Sequence, residues 1–300
     1  EMPLSLVGSE MCIRDRSRCC QKTSNQESRC QKIFRGIELI TAQLVKELRE
    51  RTGISMMDCK SALVETDGDV DKAIEVLRKK SVLKAEKKSG RATNEGSILI
   101  GSNKDYSFII EVNTETDFAA KDQDFNNFLE ELKSHCETNE PADVDDLNQK
   151  FKQPLLDIIQ KIGENIKIAY LGKIQGDGGF VYSYVHTDGK LAALVKLSEE
   201  DEALGKDVAM QIAANNPLAI SSDLINEDLI EKEKEIALAT LEHEKKPDEI
   251  KEKIVLGKLN KFKKENSLLD QPFIKNPDQK ISEIISNNTV VEIMRRRVGD

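Results

Sequence analysis

The chain has 300 residues, of which 33% are charged, 38% are hydrophobic and only 4% are aromatic, and its formal net charge is −9. This length indicates two or three domains. No apolar run reaches the roughly 18 residues that span a bilayer, which excludes an integral membrane protein, and the negative charge argues against a protein that coats nucleic acid.

The first 36 residues differ from the rest of the chain. Seven Lys or Arg against four Asp or Glu give them a charge of +3, which leaves −12 for residues 37–300. Four of the six cysteines lie here, and no helical or strand period runs through the segment. We expect residues 1–37 to be a disordered or foreign leader of a cytoplasmic protein. The alternative is a transit peptide for a mitochondrial or plastid matrix.

Three short helices are predicted within residues 38–88. Apolar residues recur at helical spacing over 40–51, over 55–66 and again from Val70 onwards. The candidate N-caps are Thr41, Ser55 and Asp69. Such helices form a small bundle near the lower size limit of an independently stable domain.

From residue 92 onwards, strand-like and helical segments follow one another in mixed order. The strand-like segments are 98–100, 108–112, 166–174, 180–186, 191–197 and 290–294, and the helical ones are 122–132, 154–162, 203–215 and 280–286. They do not alternate strictly as βαβ, so we predict an α+β fold and not a doubly wound parallel sheet. We divide this core into an N-subdomain of residues 92–174 and a C-subdomain of residues 175–224 and 268–300.

Residues 225–267 are predicted to form an antiparallel helical hairpin, or short coiled coil, inserted in the C-subdomain. Of residues 226–266, 21 are charged, and Asp248 is the expected cap of the second helix. The sparse apolar positions recur periodically at Ile225, Leu229, Ile236, Ile250, Ile254 and Leu259. The plainer alternative is a pair of solvated helix faces. The hairpin is suited to homodimerisation or to contact with another protein, and the sequence does not decide between them.

A catalytic constellation is missing from the sequence. The three histidines, His135, His186 and His243, have no second His or Cys at metal-ligand spacing. The Gly-rich run at 176–179 lacks the Gly-Lys-Ser/Thr ending of a phosphate loop. We therefore predict a protein that is not an enzyme and that needs no cofactor or metal. His186, beside a predicted hairpin turn, is expected to have a structural or contact role because it lacks an orienting partner.

Met56 and Met57 begin a helix directly after a glycine turn. We expect one of them to face the bundle core and the other to be exposed, where Met suits a protein-binding surface. The alternative is that the Met side chains fill gaps in the core.

Asp117 and Phe118 lie where a predicted strand ends and a helix begins. A loop on a rigid scaffold would project both side chains. The ring would then wedge into the apolar packing of a partner, and the carboxylate would compete near a bound cation. The alternative is that Phe118 folds under the helix. We expect Phe118 to be the one Phe of nine that lies outside the core.

Both segments resemble signature motifs of the elongation factor Ts family, which exchanges nucleotide on the GTPase elongation factor Tu. The resemblance covers about residues 38–298. Its motifs are Leu-Arg-x-x-Thr-Gly at 48–53, Met-Met-Asp-x-Lys-x-Ala-Leu at 56–63, Thr-Asp-Phe at 116–118, Lys-Ile-Gly-Glu-Asn-Ile at 161–166 and Gln-Pro-Phe at 271–273. Several ordered motifs in separate modules make this resemblance specific.

The resemblance implies a three-helix domain similar to ubiquitin-associated domains, a two-part α+β core and an inserted helical hairpin. It implies elongation factor Tu as the partner, in its GDP-bound and nucleotide-free forms, with no direct nucleic-acid or membrane partner. The loop that displaces Mg²⁺ and promotes GDP release would contain Thr116, Asp117, Phe118 and Ala119. The other partner-contacting residues would be Arg49, Met56, Met57 and His186.

The sequence also departs from the family pattern. Ala119 stands where the family usually has Val, and Cys or Ser is common near Thr114, which bears on exchange efficiency and not on identity. Some members carry a C-terminal helix after the last strand, so we expect either a truncated sequence or a shorter form. The rival interpretation is a non-catalytic, ubiquitin-associated-like adaptor, which accounts for residues 40–88 but not for the Thr-Asp-Phe loop.

Overall fold

The computed structural model describes residues 41–241, 247–286 and 288–300. The predicted leader and His243 lie outside these described residues. Contacts divide the described chain into two units: the first contains the residues up to Lys88 together with Ile159–Gly163, and the second contains Ser89–Ile158 and Glu164–Asp300. In these ranges, no helix is both long and apolar enough to cross a membrane.

The first unit contains three helices in sequence. They are α1 (Ala42–Thr52), α2 (Met56–Glu65) and α3 (Val70–Lys88). The three predicted N-caps are confirmed, because the side chains of Thr41, Ser55 and Asp69 accept hydrogen bonds from the backbone N–H three residues ahead, at 3.1–3.3 Å. Gly53 ends α1 with φ of 68°, a left-handed conformation that glycine adopts without strain.

The core of this unit comes from one face of each helix. Its fully buried members include Leu48 from α1, Cys59 and Leu63 from α2, and Ala73 from α3. On α2 the buried residues are Cys59, Ala62 and Leu63, the i, i+3, i+4 spacing of an amphipathic helix.

The second unit begins with an antiparallel sheet of order β1-β2-β3. Its strands are β1 (Glu95–Ser102), β2 (Tyr106–Thr114) and β3 (Lys167–Gln175). Between β2 and β3 lie α4 (Asp117–Ala120), α5 (Gln123–Thr138), α6 (Val144–Lys150) and α7 (Lys152–Ile162). Helix α5 contacts β1 and α6 contacts β3. The predicted apolar face of α5 is confirmed, since Phe125, Phe128, Leu129 and Leu132 are buried.

A second antiparallel sheet packs against the first. Its strands are β4 (Phe180–Val185), β5 (Leu191–Leu197) and β8 (Val290–Arg297), in the order β4-β5-β8. Alternate side chains of β5 point to opposite faces. Ala192 and Leu194 meet Ile98, Ile109 and Ile174 of the first sheet. Ala193, Val195 and Leu197 instead pack with α8 (Glu202–Asn215).

All pairs between these strands are antiparallel, and the predicted α+β class is confirmed. The prediction missed α6, whose one buried residue, Leu147, leaves little periodicity to detect. It also missed a small sheet of β6 (Pro272–Phe273) and β7 (Asn276–Lys280), which precedes α11 (Ile281–Ile285).

The charge-rich segment contains two helices, α9 (Glu227–Leu241) and α10 (Asp248–Asn266). Their contact is made by Ala237, Leu241 and Val255, with Ile254 and Leu259 partly buried beside them. The predicted contact positions Leu229, Ile236 and Ile250 were wrong, because these side chains are exposed. The predicted cap was also wrong, since Pro247 is the N-cap and Asp248 is the first helical residue.

Candidate functional site

Phe118 projects from α4, the short helix between β2 and α5. Its side chain is 81% exposed, so the alternative that it folds under the helix was wrong. The neighbouring Ala119 is buried, and its N–H donates to Thr116 Oγ1 at 3.3 Å as the N-cap bond of α4. Phe180 is also 42% exposed, so the prediction that Phe118 alone lies outside the core was wrong.

A carboxylate from a distant part of the chain holds Thr116. The Thr116 backbone N–H donates to Glu164 Oε2 at 3.0 Å, and its hydroxyl donates to Glu164 Oε1 at 2.8 Å. The hydroxyl of Thr114 donates to the carbonyl of Thr116 at 2.8 Å. The start of α4 is therefore tied both to β2 and to the turn between α7 and β3.

A reciprocal bond runs from that turn to the loop. Asn165 N–H donates to Glu115 Oε1 at 2.7 Å, and the Asn165 amide donates to the carbonyl of Arg91 at 3.3 Å. Arg91 Nη1 lies 3.4 Å from Glu115 Oε2. We call the four residues Glu115, Thr116, Glu164 and Asn165 the loop clamp. The sequence analysis missed Glu115, Glu164 and Asn165 as site residues, because the contacts join segments about 50 residues apart.

Asp117 is held in its ionised form. Its carboxylate pairs with Lys121 Nζ at 3.0 Å, one helical turn ahead. The hydrogen bond from Lys121, with the positive charges of Lys121 and Lys190, lowers the pKa of Asp117 below its ordinary value. A negative charge therefore stands beside the exposed Phe118 ring at neutral pH.

The turn between β4 and β5 carries His186 and Lys190 to the same end of the first sheet. Ile98 N–H of β1 donates to the Gly189 carbonyl at 2.8 Å. Lys190 forms an ion pair with Glu95, which lies opposite Thr114 in the β1–β2 register. The structure thus brings the His186 turn close to the Phe118 loop.

His186 has a partner that the sequence analysis denied it. Its Nδ1 lies 3.0 Å from Asp188 Oδ1, across the turn. A backbone hydrogen bond from Lys190 is the main cause that lowers the pKa of Asp188, and the His186 contact adds to it. Both side chains are about half exposed, which suits a contact role.

The remaining predicted residues lie in the first unit. Met56 and Met57 are 51% and 76% exposed, so the prediction that one of them faces the core was wrong. Ile54 and Cys59 occupy the core positions on either side of the pair. Arg49 is also exposed, on α1. The structure thus places these three residues on the surface of the first unit, and the other five in the second.

Comparison with known proteins gives consistent results. A family model described as Elongation factor TS matches residues 115–300. Elongation factor Ts of Teredinibacter turnerae is 43% identical over 267 residues, which cover 87% of this chain and 91% of that protein. Elongation factor Ts of Marinobacter nauticus is 45% identical over 266 residues, covering 87% and 91%. That of Nitratiruptor sp. is 45% identical over 262 residues, covering 82% and 86%. The chain therefore belongs to the elongation factor Ts family of translation elongation factors.

Proposed function

We propose that this protein binds elongation factor Tu in its GDP-bound form, favours the nucleotide-free form and so promotes GDP release. The observation that carries the proposal is Phe118, an aromatic side chain held 81% exposed on a helix that is anchored at its start. Membership of a family of translation elongation factors supplies the partner.

Phe118 acts as the apolar wedge. Burying a Phe side chain fully is worth about 1.5–3 kcal/mol, and each tenfold change in affinity corresponds to about 1.4 kcal/mol. Insertion of this ring into the nucleotide-free form of the partner alone would therefore weaken GDP binding by roughly one to two orders of magnitude. Asp117 adds a negative charge at the same place, where it competes with the groups that hold the partner's Mg²⁺.

The coupling between the two binding events is reciprocal. Whatever factor this protein takes from the affinity of elongation factor Tu for GDP, GDP takes from the affinity of this protein for elongation factor Tu. Rebinding of nucleotide therefore releases the protein, which then acts on another molecule of elongation factor Tu.

The exposed Met56 and Met57, with Arg49, form a second contact surface on the first unit. Met side chains adapt to irregular surfaces and are common where proteins bind one another. We assign them to holding the complex, and the His186 turn to a contact beside the Phe118 loop. An adaptor that uses the three helices alone would bind a partner without changing nucleotide release.

The experiment measures release of a fluorescent GDP analogue from elongation factor Tu of one of the organisms named above. We expect the wild-type protein to accelerate release and Phe118→Ala to lower the maximal rate at least tenfold. Phe180→Ala removes another exposed Phe of the same unit and should release GDP like the wild type.

Unchanged release with Phe118→Ala would contradict the role of the wedge. Binding of the wild-type protein without faster release would contradict the proposed function and favour the adaptor.

A further inference from the structure

We propose that Glu164 is a positioning residue for nucleotide exchange, which holds the helix that carries Phe118 in the orientation that engages the partner. This inference rests on the proposed function.

Helix α4 is too short to define its own position. It has four residues, and helices of such length are unstable in isolation because nucleation is costly. Its orientation therefore depends on the groups that anchor its first turn. Phe118 is largely exposed, so its own side chain contributes little to that anchoring.

Glu164 fixes the position at which α4 begins. Both of its carboxylate oxygens accept hydrogen bonds from Thr116, one from the backbone N–H and one from the hydroxyl. The Thr116 hydroxyl has a single proton, which points to Glu164, and it accepts the Ala119 N–H with a lone pair. The carboxylate thereby orients the N-cap as well as holding the backbone.

The other half of the loop clamp secures the carboxylate itself. Asn165, the next residue, donates its backbone N–H to Glu115, the residue before Thr116. Two acidic residues thus cross between the loop and the turn that precedes β3, which ties both to the first sheet. By comparison, the Asp117–Lys121 pair lies within four residues at the surface and does not connect α4 to the sheet.

A fixed loop favours binding because less conformational freedom is lost when the partner engages the ring. Loss of the clamp should therefore slow exchange through Phe118, and leave the fold of the unit in place. Hydrogen bonds to charged groups are among the stronger ones in proteins.

The test measures kcat/KM for GDP release from elongation factor Tu with changes on both sides of the contact. Glu164→Ala should lower kcat/KM about tenfold, the factor expected for loss of a hydrogen bond to a charged group. Thr116→Val keeps the shape of the side chain but removes the hydroxyl, and should act similarly. Thr116→Ser restores the hydroxyl and should recover most of the wild-type value.

Glu140→Ala is the matched control. Glu140 also accepts two side-chain hydrogen bonds within the second unit, from Lys173 at 3.0 Å and Gln175 at 3.2 Å, but it does not contact the loop. It removes the same charge as Glu164→Ala, and we expect wild-type kcat/KM from it.

The Phe118→Ala background separates positioning from general structural damage. If Glu164 acts through the ring, adding Glu164→Ala to Phe118→Ala should cause no further loss of kcat/KM. The same tenfold loss in both backgrounds would overturn the proposal, as would wild-type activity of Glu164→Ala and Thr116→Val. Failure of the wild-type protein to accelerate release would instead overturn the proposed function, and the inference with it.

Discussion

At the scale of single residues, exposure separates Phe118 from the aromatic residues of the core. Phe108 and Phe125 are fully buried, as most large apolar side chains are, whereas Phe118 stands in water next to an ionised Asp117. The sequence predicted this exposure from the position of the acid–aromatic pair between a strand and a helix. It did not predict the contact to Glu164 that holds the loop.

The described cysteines should be unreactive in the folded protein. Both are buried, and burial raises the pKa of Cys59 and raises that of Cys136 to about 11. At pH 8 both thiols are therefore below their pKa and protonated, and the thiolate is the reactive form. We expect slow labelling by iodoacetamide at both positions, measured by mass spectrometry of the peptides that contain them.

The control for this prediction is the same labelling in concentrated guanidinium chloride, where both sites should react readily. Labelling of Cys136 in the native protein at the rate of a free peptide thiol would contradict the burial.

At the scale of elements, α2 separates its stabilising face from its exposed Met residues. We expect Met56→Ala with Met57→Ala to change the free energy of unfolding by no more than about 0.5 kcal/mol, as is usual for exposed positions. The Kd for elongation factor Tu should rise about tenfold, because an adaptable apolar surface is lost. Titration calorimetry and chemical denaturation measure the two effects.

Leu83→Ala is the control, since Leu83 is an exposed apolar residue on α3 of the same unit. It should leave both quantities unchanged. Loss of stability without loss of binding in the double Met variant would show that the Met residues serve the core.

The helical hairpin offers a test with two neighbouring residues. Val255 is buried between α9 and α10, whereas Leu256 is exposed. We expect Val255→Ala to destabilise the contact by about 1.5 kcal/mol, from two buried methyl groups. Amide hydrogen exchange across Glu227–Leu241 and Asp248–Asn266 should then be about tenfold faster. Leu256→Ala should leave it unchanged, and equal effects would contradict this helix contact.

The elements that the sequence predicted well are those with local signals. Caps such as Thr41 and Ser55 act within three residues, and the faces of α5 follow a clear helical period. The hairpin contact was predicted less well, because its helices carry apolar residues on more than one face and the small Ala237 supplies part of the contact. The loop clamp was not predicted, since its bonds join residues 48 and 50 positions apart.

At the scale of the whole molecule, one buried ion pair ties the end of the chain into the second unit. Glu111 of β2 is 1% exposed and accepts hydrogen bonds from Arg296 Nε at 2.6 Å and Gly299 N at 2.9 Å. The Arg296 guanidinium also lies over the Tyr170 ring, 4.4 Å from its centre. The pair connects β8 of one sheet with β2 and β3 of the other.

Arg296→Ala should lower the free energy of unfolding by about 3 kcal/mol, because it leaves the Glu111 carboxylate buried without its charged partner. Arg297→Ala, at the adjacent exposed position, should change it by about 0.5 kcal/mol or less. Urea denaturation followed by circular dichroism measures both. Similar stabilities of the two variants would contradict a structural role for the buried pair.

The central claim, that this chain promotes GDP release from elongation factor Tu, is tested most directly by counting turnovers. Elongation factor Tu loaded with labelled GDP is mixed with excess unlabelled GDP and one molecule of this protein per hundred of elongation factor Tu. The account predicts that each molecule releases label from many molecules of elongation factor Tu, until exchange is complete. Release at the rate seen without this protein, or release that stops at one event per molecule, would contradict the account.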